Sequence, residues 1–173
     1  LHFLNSQFSI LLSLLFDIKS RLQYALRAHY RKGHWVHSPF TFHTLNYVIF
    51  EQTPYYSFLA IESLRQQLQH NNTPLKLQPL GTSKAKTTTE ARELKNSAKS
   101  PRLAQLLQRL CASNKSHYII ELGTNLGLST AYLASNNKQS QVYTLEGQPE
   151  LCQMARQNFK QLHLDNIKII EGN

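Results

Sequence analysis

Two carboxylates stand where a folded chain could use them. Glu121 closes the apolar run Tyr118-Ile-Ile-Glu121, and Glu146 closes the run Val142-Tyr-Thr-Leu-Glu146, 25 residues later. Between them lies Leu122-Gly-Thr-Asn-Leu-Gly-Leu-Ser-Thr130, a loop with two glycines leading into a helix-forming stretch with paired hydroxyls. In parallel α/β sheets, ligands bind beyond the carboxyl ends of the strands, and the first turn of a helix offers amides to an anion. A carboxylate at such a strand end can accept two vicinal hydroxyls or face an ammonium. The pattern is that of a nucleoside-cofactor site.

A dinucleotide fingerprint needs glycine at the first, third and sixth loop positions. Counted from Gly123, those positions hold Gly123, Asn125 and Leu128. The glycine that admits a pyrophosphate and the one that allows close helix–strand packing are both replaced. S-adenosylmethionine has no pyrophosphate and makes no such demand, so the residues favour it over NAD. The expected cofactor-binding set is Glu121, Gly123, Thr124, Asn125, Gly127, Ser129, Thr130, Glu146 and Gly147. Glu121 faces the ligand ammonium, Ser129 and Thr130 help hold its carboxylate, and Glu146 accepts the ribose hydroxyls. Each feature has a plainer reading: glycines for a tight turn, hydroxyls as caps, acids as solvated strand ends. Their joint spacing favours the site.

The elements that must position these residues alternate. After His117 the pattern predicts a strand, the glycine loop, a helix near 128–136, a strand over 142–146, a helix near 149–163 opened by Pro149, and a strand over 167–171. Such alternation implies βαβ units and a parallel sheet, the α/β Rossmann-like class. Leu151, Cys152, Ala155, Phe159 and Leu162 supply the buried stripe of the second helix. Upstream, residues 8–31 read as an amphipathic helix rather than a targeting segment, because Leu11, Leu15, Ile18, Leu22 and Leu26 recur at helical spacing. His34-Trp-Val-His-Ser-Pro-Phe40 reads as an aromatic turn. Residues 41–51 and 55–70 read as helices, the latter with Phe58, Ile61, Leu64 and Leu68 on one face. Residues 71–100 lack aromatics and read as a polar linker or mobile flap. Ser100-Pro101 then caps a helix whose apolar face is Leu103, Leu106, Leu107, Leu110 and Cys111. The expected organisation is a helical region 1–70, a linker 71–100, and a cofactor-binding domain 101–173.

Glu121-Leu-Gly-Thr-Asn-Leu-Gly-Leu-Ser129 resembles the first motif of class I S-adenosylmethionine-dependent methyltransferases, and its E-x-G-T-x-x-G-x-S form resembles the small-molecule O-methyltransferase branch. His34-Trp-Val-His-Ser-Pro-Phe40 and Asn96-Ser-Ala-Lys-Ser-Pro101 resemble a bacterial group from the Bacteroidetes, with Trp35 in place of that group's glycine. The resemblance implies that Glu121, Gly123 and Ser129 line the methionine end, that Glu146 meets the ribose, and that Asn173 lies near the adenine. It also implies a seven-stranded sheet whose acceptor-binding groups follow the fourth strand. On that comparison the chain is expected to be truncated after the third strand and inactive by itself, and no residue in it is assigned as catalytic base. His34, His37 and Tyr55 are possible acceptor-side groups, with packing or capping the preferred role for each.

The charge is uneven. Residues 1–117 carry 15 Lys+Arg against 5 Asp+Glu, and residues 118–173 carry 4 against 5. The basic excess therefore lies outside the cofactor module. A solvated basic surface is the preferred reading, with an anionic partner as the alternative. Cys111 and Cys152 read as free thiols on apolar faces, which suits a cytoplasmic protein. The eight histidines form no zinc spacing, so no metal is expected. The function expected is methyl transfer from S-adenosylmethionine to a small molecule. A nucleic-acid methyltransferase or binder, and a non-catalytic scaffold of this fold, are the alternatives. No transmembrane segment is expected.

Overall fold

The computed structural model describes residues 18–20, 23, 37–53, 55–80, 84–135 and 137–172. His34, Trp35, Asn173 and all of the expected helix 8–31 except Ile18–Ser20 and Gln23 lie outside the described residues. The chain forms two compact units, Leu1–Glu51 and Gln52–Asn173.

In the first unit, helix α1 spans Pro39–Thr44. Ser38 caps it, its Oγ accepting the Thr41 N–H at 3.3 Å, and Pro39 takes the first position, where no donor is needed. A π-helical turn, Leu45–Ile49, follows directly and closes with the Phe50 N–H donating to the Leu45 carbonyl at 2.9 Å. The Ser-Pro pair therefore starts a helix instead of forming a turn, and the expected helix 41–51 begins two residues earlier, ends at Ile49 and changes its winding midway.

The second unit opens with α2, Tyr56–His70. Its buried face is Phe58, Ile61, Leu64 and Leu68, as the helical spacing indicates, with Arg65. This face enters the main core, so α2 belongs to the second unit and not to an N-terminal region ending at 70. Tyr132, fully buried, packs its ring 5.1 Å from that of Phe58 and donates its hydroxyl to Glu62, which also pairs with Arg65 at 3.2 Å. Desolvation, then the Glu62 contact, pushes the Tyr132 phenol up to about 12.

Residues 71–100, expected as a linker or flap, hold regular structure. Strands β1, Pro74–Leu77, and β2, Lys86–Thr89, pair antiparallel, with Leu75 opposite Thr88. Helix α3, Glu90–Ser97, follows, capped by Thr89, whose Oγ1 accepts the Arg92 N–H at 3.3 Å. Leu75 and Leu94 are enough to anchor the segment, because both enter the main core. Gln78 and Gln148 exchange two hydrogen bonds of 2.8 Å, and the Lys76 N–H donates to Glu150, so β1 is fastened to the chain following Glu146.

Helix α4 is Pro101–Ser113, capped by Ser100. Strand β3, Tyr118–Leu122, is followed by α5, Leu128–Ala134, strand β4, Gln141–Glu146, helix α6, Pro149–Gln161, and strand β5, Ile167–Glu171. The three strands form a parallel sheet in the order β3-β4-β5, with Glu121 opposite Thr144 and Glu146 opposite Glu171. This is the mixed α/β, Rossmann-like architecture that the alternating pattern implies.

The larger core joins α2, Leu75, Leu94, Ala104, Leu126 and α5 with Leu151, Ala155 and Phe159 of α6. A smaller one joins Ile119, Leu133, Ala134 and Val142, bordered by Leu107 and Cys111. One expectation is corrected on α4. Its buried residues are Ala104, Gln108 and Arg109, while Leu103 is 44% exposed and Leu106, Leu107, Leu110 and Cys111 are half-buried. The packed face of α4 is turned from the leucine stripe towards Ala104 and Gln108.

Candidate functional site

The carboxyl ends of β3 and β4 lie side by side, and the glycine loop is stitched to them. The N–H groups of Gly123 and Thr124 both donate to the Leu145 carbonyl, at 2.9 and 3.1 Å. Gly123 has φ +88 and Gly127 φ +81, a backbone that side-chain-bearing residues rarely adopt. The two glycines serve different ends. A Cβ on Gly127 would sit 2.5 Å from the Phe159 ring and 3.3 Å from the Ala155 Cβ, so this glycine lets α6 close on the loop. A Cβ on Gly123 would meet nothing within 4 Å, so that backbone faces open space. Asn125 also has positive φ, +50, and Asn158 holds the loop from α6 by donating to the Leu126 carbonyl at 2.8 Å.

Glu146 follows as the sequence placed it, at the end of β4 beside the loop. One carboxylate oxygen accepts the Asn125 N–H at 2.8 Å and the other the Gln148 N–H at 3.0 Å. Each oxygen keeps a lone pair for a further donor. Gly147 forms the bend between them and is half-buried.

Glu121 is engaged by three hydroxyls of its own chain. It accepts from Ser129 Oγ at 2.6 Å, from Thr130 Oγ1, and from Thr144 Oγ1 at 3.0 Å. The Thr144 hydroxyl also meets Thr124 Oγ1 at 2.7 Å in a buried pair. Ser129 and Thr130, assigned from sequence to a ligand carboxylate, thus point their hydroxyls at Glu121. The cluster Glu121-Ser129-Thr130-Thr144-Thr124 braces the strand end against α5 with charge-assisted bonds.

The wall facing the loop comes from the segment read as a linker. Leu94, Ser97, Ala98 and Lys99 line a cleft with Gly123–Ser129 that encloses about 40 Å³, room for one functional group and not for a whole nucleoside. A larger cavity of about 530 Å³ lies at the opposite, amino-terminal ends of β4 and β5, among Ile61, Lys138, Leu162, His163 and Asp165. It touches none of the strand-end acids, so size alone does not make it the site. Glu93 of α3 also reaches the loop, its Oε1 accepting from Asn125 Nδ2 at 3.0 Å. Sequence reasoning missed this wall. The signal that would have found it is Thr89-Glu90, a cap followed by an acid in the first turn, which marks a helix start.

His37 is exposed, and Tyr55 precedes α2 with its ring 5.1 Å from that of Phe58, a packing contact. Cys152 is buried and Cys111 half-buried; burial raises both thiols above their ordinary value. Among the described residues no three His, Cys, Asp or Glu side chains gather as a metal site, and no helix is long and apolar enough to cross a membrane.

A family model described as protein-L-isoaspartate(D-aspartate) O-methyltransferase matches residues 80–173, more than half of the chain. The chain belongs to this family. The family is one of class I S-adenosylmethionine-dependent methyltransferases, and the match covers the glycine loop and both strand-end acids. Curated proteins yielded no match. Among solved structures, the O-methyltransferase from Bacillus cereus in complex with S-adenosylhomocysteine is 25% identical with a TM-score of 0.51, covering 73% of this chain and 48% of its own. Cofactor-bound Rv0187 from MTB is 21% identical with a TM-score of 0.46, covering 78% and 49%. The O-methyltransferase TomG from Streptomyces achromogenes, involved in tomaymycin synthesis and solved with S-adenosylmethionine, is 22% identical with a TM-score of 0.43, covering 44% and 35%. The fold is like that of the Bacillus cereus enzyme. The chain spans about half the length of these structures or less.

Proposed function

We propose that the protein is an S-adenosylmethionine-dependent methyltransferase that acts on an oxygen of a small molecule. The observation that carries this reading is Glu146: a strand-end carboxylate beside a glycine loop, with a free lone pair on each oxygen. Two vicinal ribose hydroxyls suit that acceptor pair. Gly123 and its open side suit the approach of the methionine portion. The loop lacks the glycines a pyrophosphate requires, which argues against NAD. The family match and the adenosyl ligands bound by the similar structures support the same cofactor. Glu121, Ser129 and Thr130 would act as a unit under the methionine end, and Asn173 would lie near the adenine.

The bound cofactor would supply an electrophilic methyl on a sulfonium. The methyl–sulfur bond would break as the bond to the acceptor oxygen formed, with loss of the acceptor's proton. The products are S-adenosylhomocysteine and a methyl ether or ester. What the named residues contribute is orientation, which can supply a large part of such a rate. A second reading, methylation of an isoaspartyl carboxylate in a peptide, is favoured by the description of the matching family. Methyl-labelled S-adenosylmethionine offered with a panel of small hydroxyl compounds and with an isoaspartyl peptide separates them. Label in a small-molecule ether supports the first reading, base-labile label in the peptide supports the second, and no transfer with tight NAD binding would overturn both.

A further inference from the structure

We propose that Glu93 is a positioning residue of the cofactor loop, acting through the side chain of Asn125; this rests on the methyltransferase reading above. Asn125 stands at the centre of the loop with φ +50, a left-handed conformation that Asn tolerates better than most side-chain-bearing residues when its amide is hydrogen-bonded locally. Three bonds hold it there. Its N–H donates to Glu146 at 2.8 Å, its own Oδ1 accepts the Leu126 N–H at 2.7 Å, and its Nδ2 donates to Glu93 Oε1 at 3.0 Å. The first two are local to the site. The third comes from α3, 32 residues earlier in the chain.

Glu93 is suited to the task. It is 8% exposed, so its bond is poorly contested by water, and Lys86 of β2 lies 3.5 Å from its other oxygen. A buried carboxylate with a single cation beside it gains from each further donor, and Asn125 provides one. The amide orientation it selects leaves Oδ1 for Leu126 and keeps the Asn125 N–H aimed at Glu146. Glu93 thereby fixes the direction of the carboxylate assigned to the ribose without touching the ligand.

The full chain, compared with Glu93→Ala, Glu93→Gln, Asn125→Gly and the Glu93→Ala/Asn125→Gly double variant, tests this by two readouts. These are calorimetric affinity for S-adenosylhomocysteine and amide exchange of residues 123–127 without ligand. Glu93→Ala should lower affinity about tenfold, the loss expected for one hydrogen bond to a charged group, and should speed exchange in the loop alone. Glu93→Gln, which keeps an acceptor for Asn125, should recover most of both. Asn125→Gly keeps the positive φ but removes the partner, so adding Glu93→Ala to it should cost nothing more. Additive losses, exchange that quickens throughout α3 and the core, or no change in either readout would overturn the proposal. If no variant and not the parent binds the adenosyl ligand, the cofactor reading fails; loop exchange then decides by itself, faster exchange upholding Glu93 and unchanged exchange removing it.

Discussion

At the scale of single residues, the proposed reading rests on Glu146. Glu146→Ala should weaken S-adenosylhomocysteine binding by about 1.5–3 kcal/mol, the range for hydrogen bonds to a charged group. The fold should hold, because the carboxylate packs little and its two backbone donors can turn to water. An unchanged dissociation constant by calorimetry would remove Glu146 from the site. Glu90 has a different part. It is 1% exposed, and desolvation raises its carboxyl above the ordinary 4.5 despite bonds from Thr73 and Asn71. The folded chain therefore keeps a proton that the unfolded chain has already lost. Stability falls as pH rises from 4.5 toward the raised folded value, and the full cost is felt above it. Glu90→Gln should be nearly neutral near pH 4 and stabilising at pH 7, read as the difference in thermal midpoint. A difference independent of pH would contradict the burial argument.

At the scale of elements, the loop and α6 depend on one missing side chain. Gly127→Ala must accommodate a Cβ 2.5 Å from Phe159 at a φ of +81. It should cost about 2–4 kcal/mol, strain and overpacking together, and lower the thermal midpoint by several degrees. Gly123→Ala meets only the strain of its φ and should cost less. Equal costs would mean that α6 does not close on the loop. The strands, α5 and α6 were legible in sequence because their apolar runs are long, periodic and punctuated by Gly123, Gly127 and Pro149. The segment 71–100 was not. Its two strands are four residues each and present only Leu75 and Thr88 as buried side chains, too few to show a period. The site suffered accordingly: Glu121, Glu146 and the glycines could be read from strand ends, whereas Glu93 depends on a contact between segments that no local pattern encodes.

On the scale of the whole molecule, β3 leaves an apolar face open among the described residues: Tyr118, Ile120 and Leu122 are 75%, 73% and 79% exposed, on an edge strand that pairs with β4 on one side only among those residues. Open edges and apolar faces favour association. Ile120→Thr with Leu122→Ser should raise the solubility of residues 1–173 without lowering the thermal midpoint, measured by light scattering and calorimetric unfolding. Lower stability with no gain in solubility would mean that this face is covered. The ligand that the loop and Glu146 are proposed to select is tested most directly by calorimetric titration of the full protein with S-adenosylhomocysteine and, separately, with NAD. Saturable binding of the adenosyl ligand, lost or sharply weakened in Glu146→Ala, with no heat from NAD, is the predicted result; tight NAD binding with none for S-adenosylhomocysteine would contradict it.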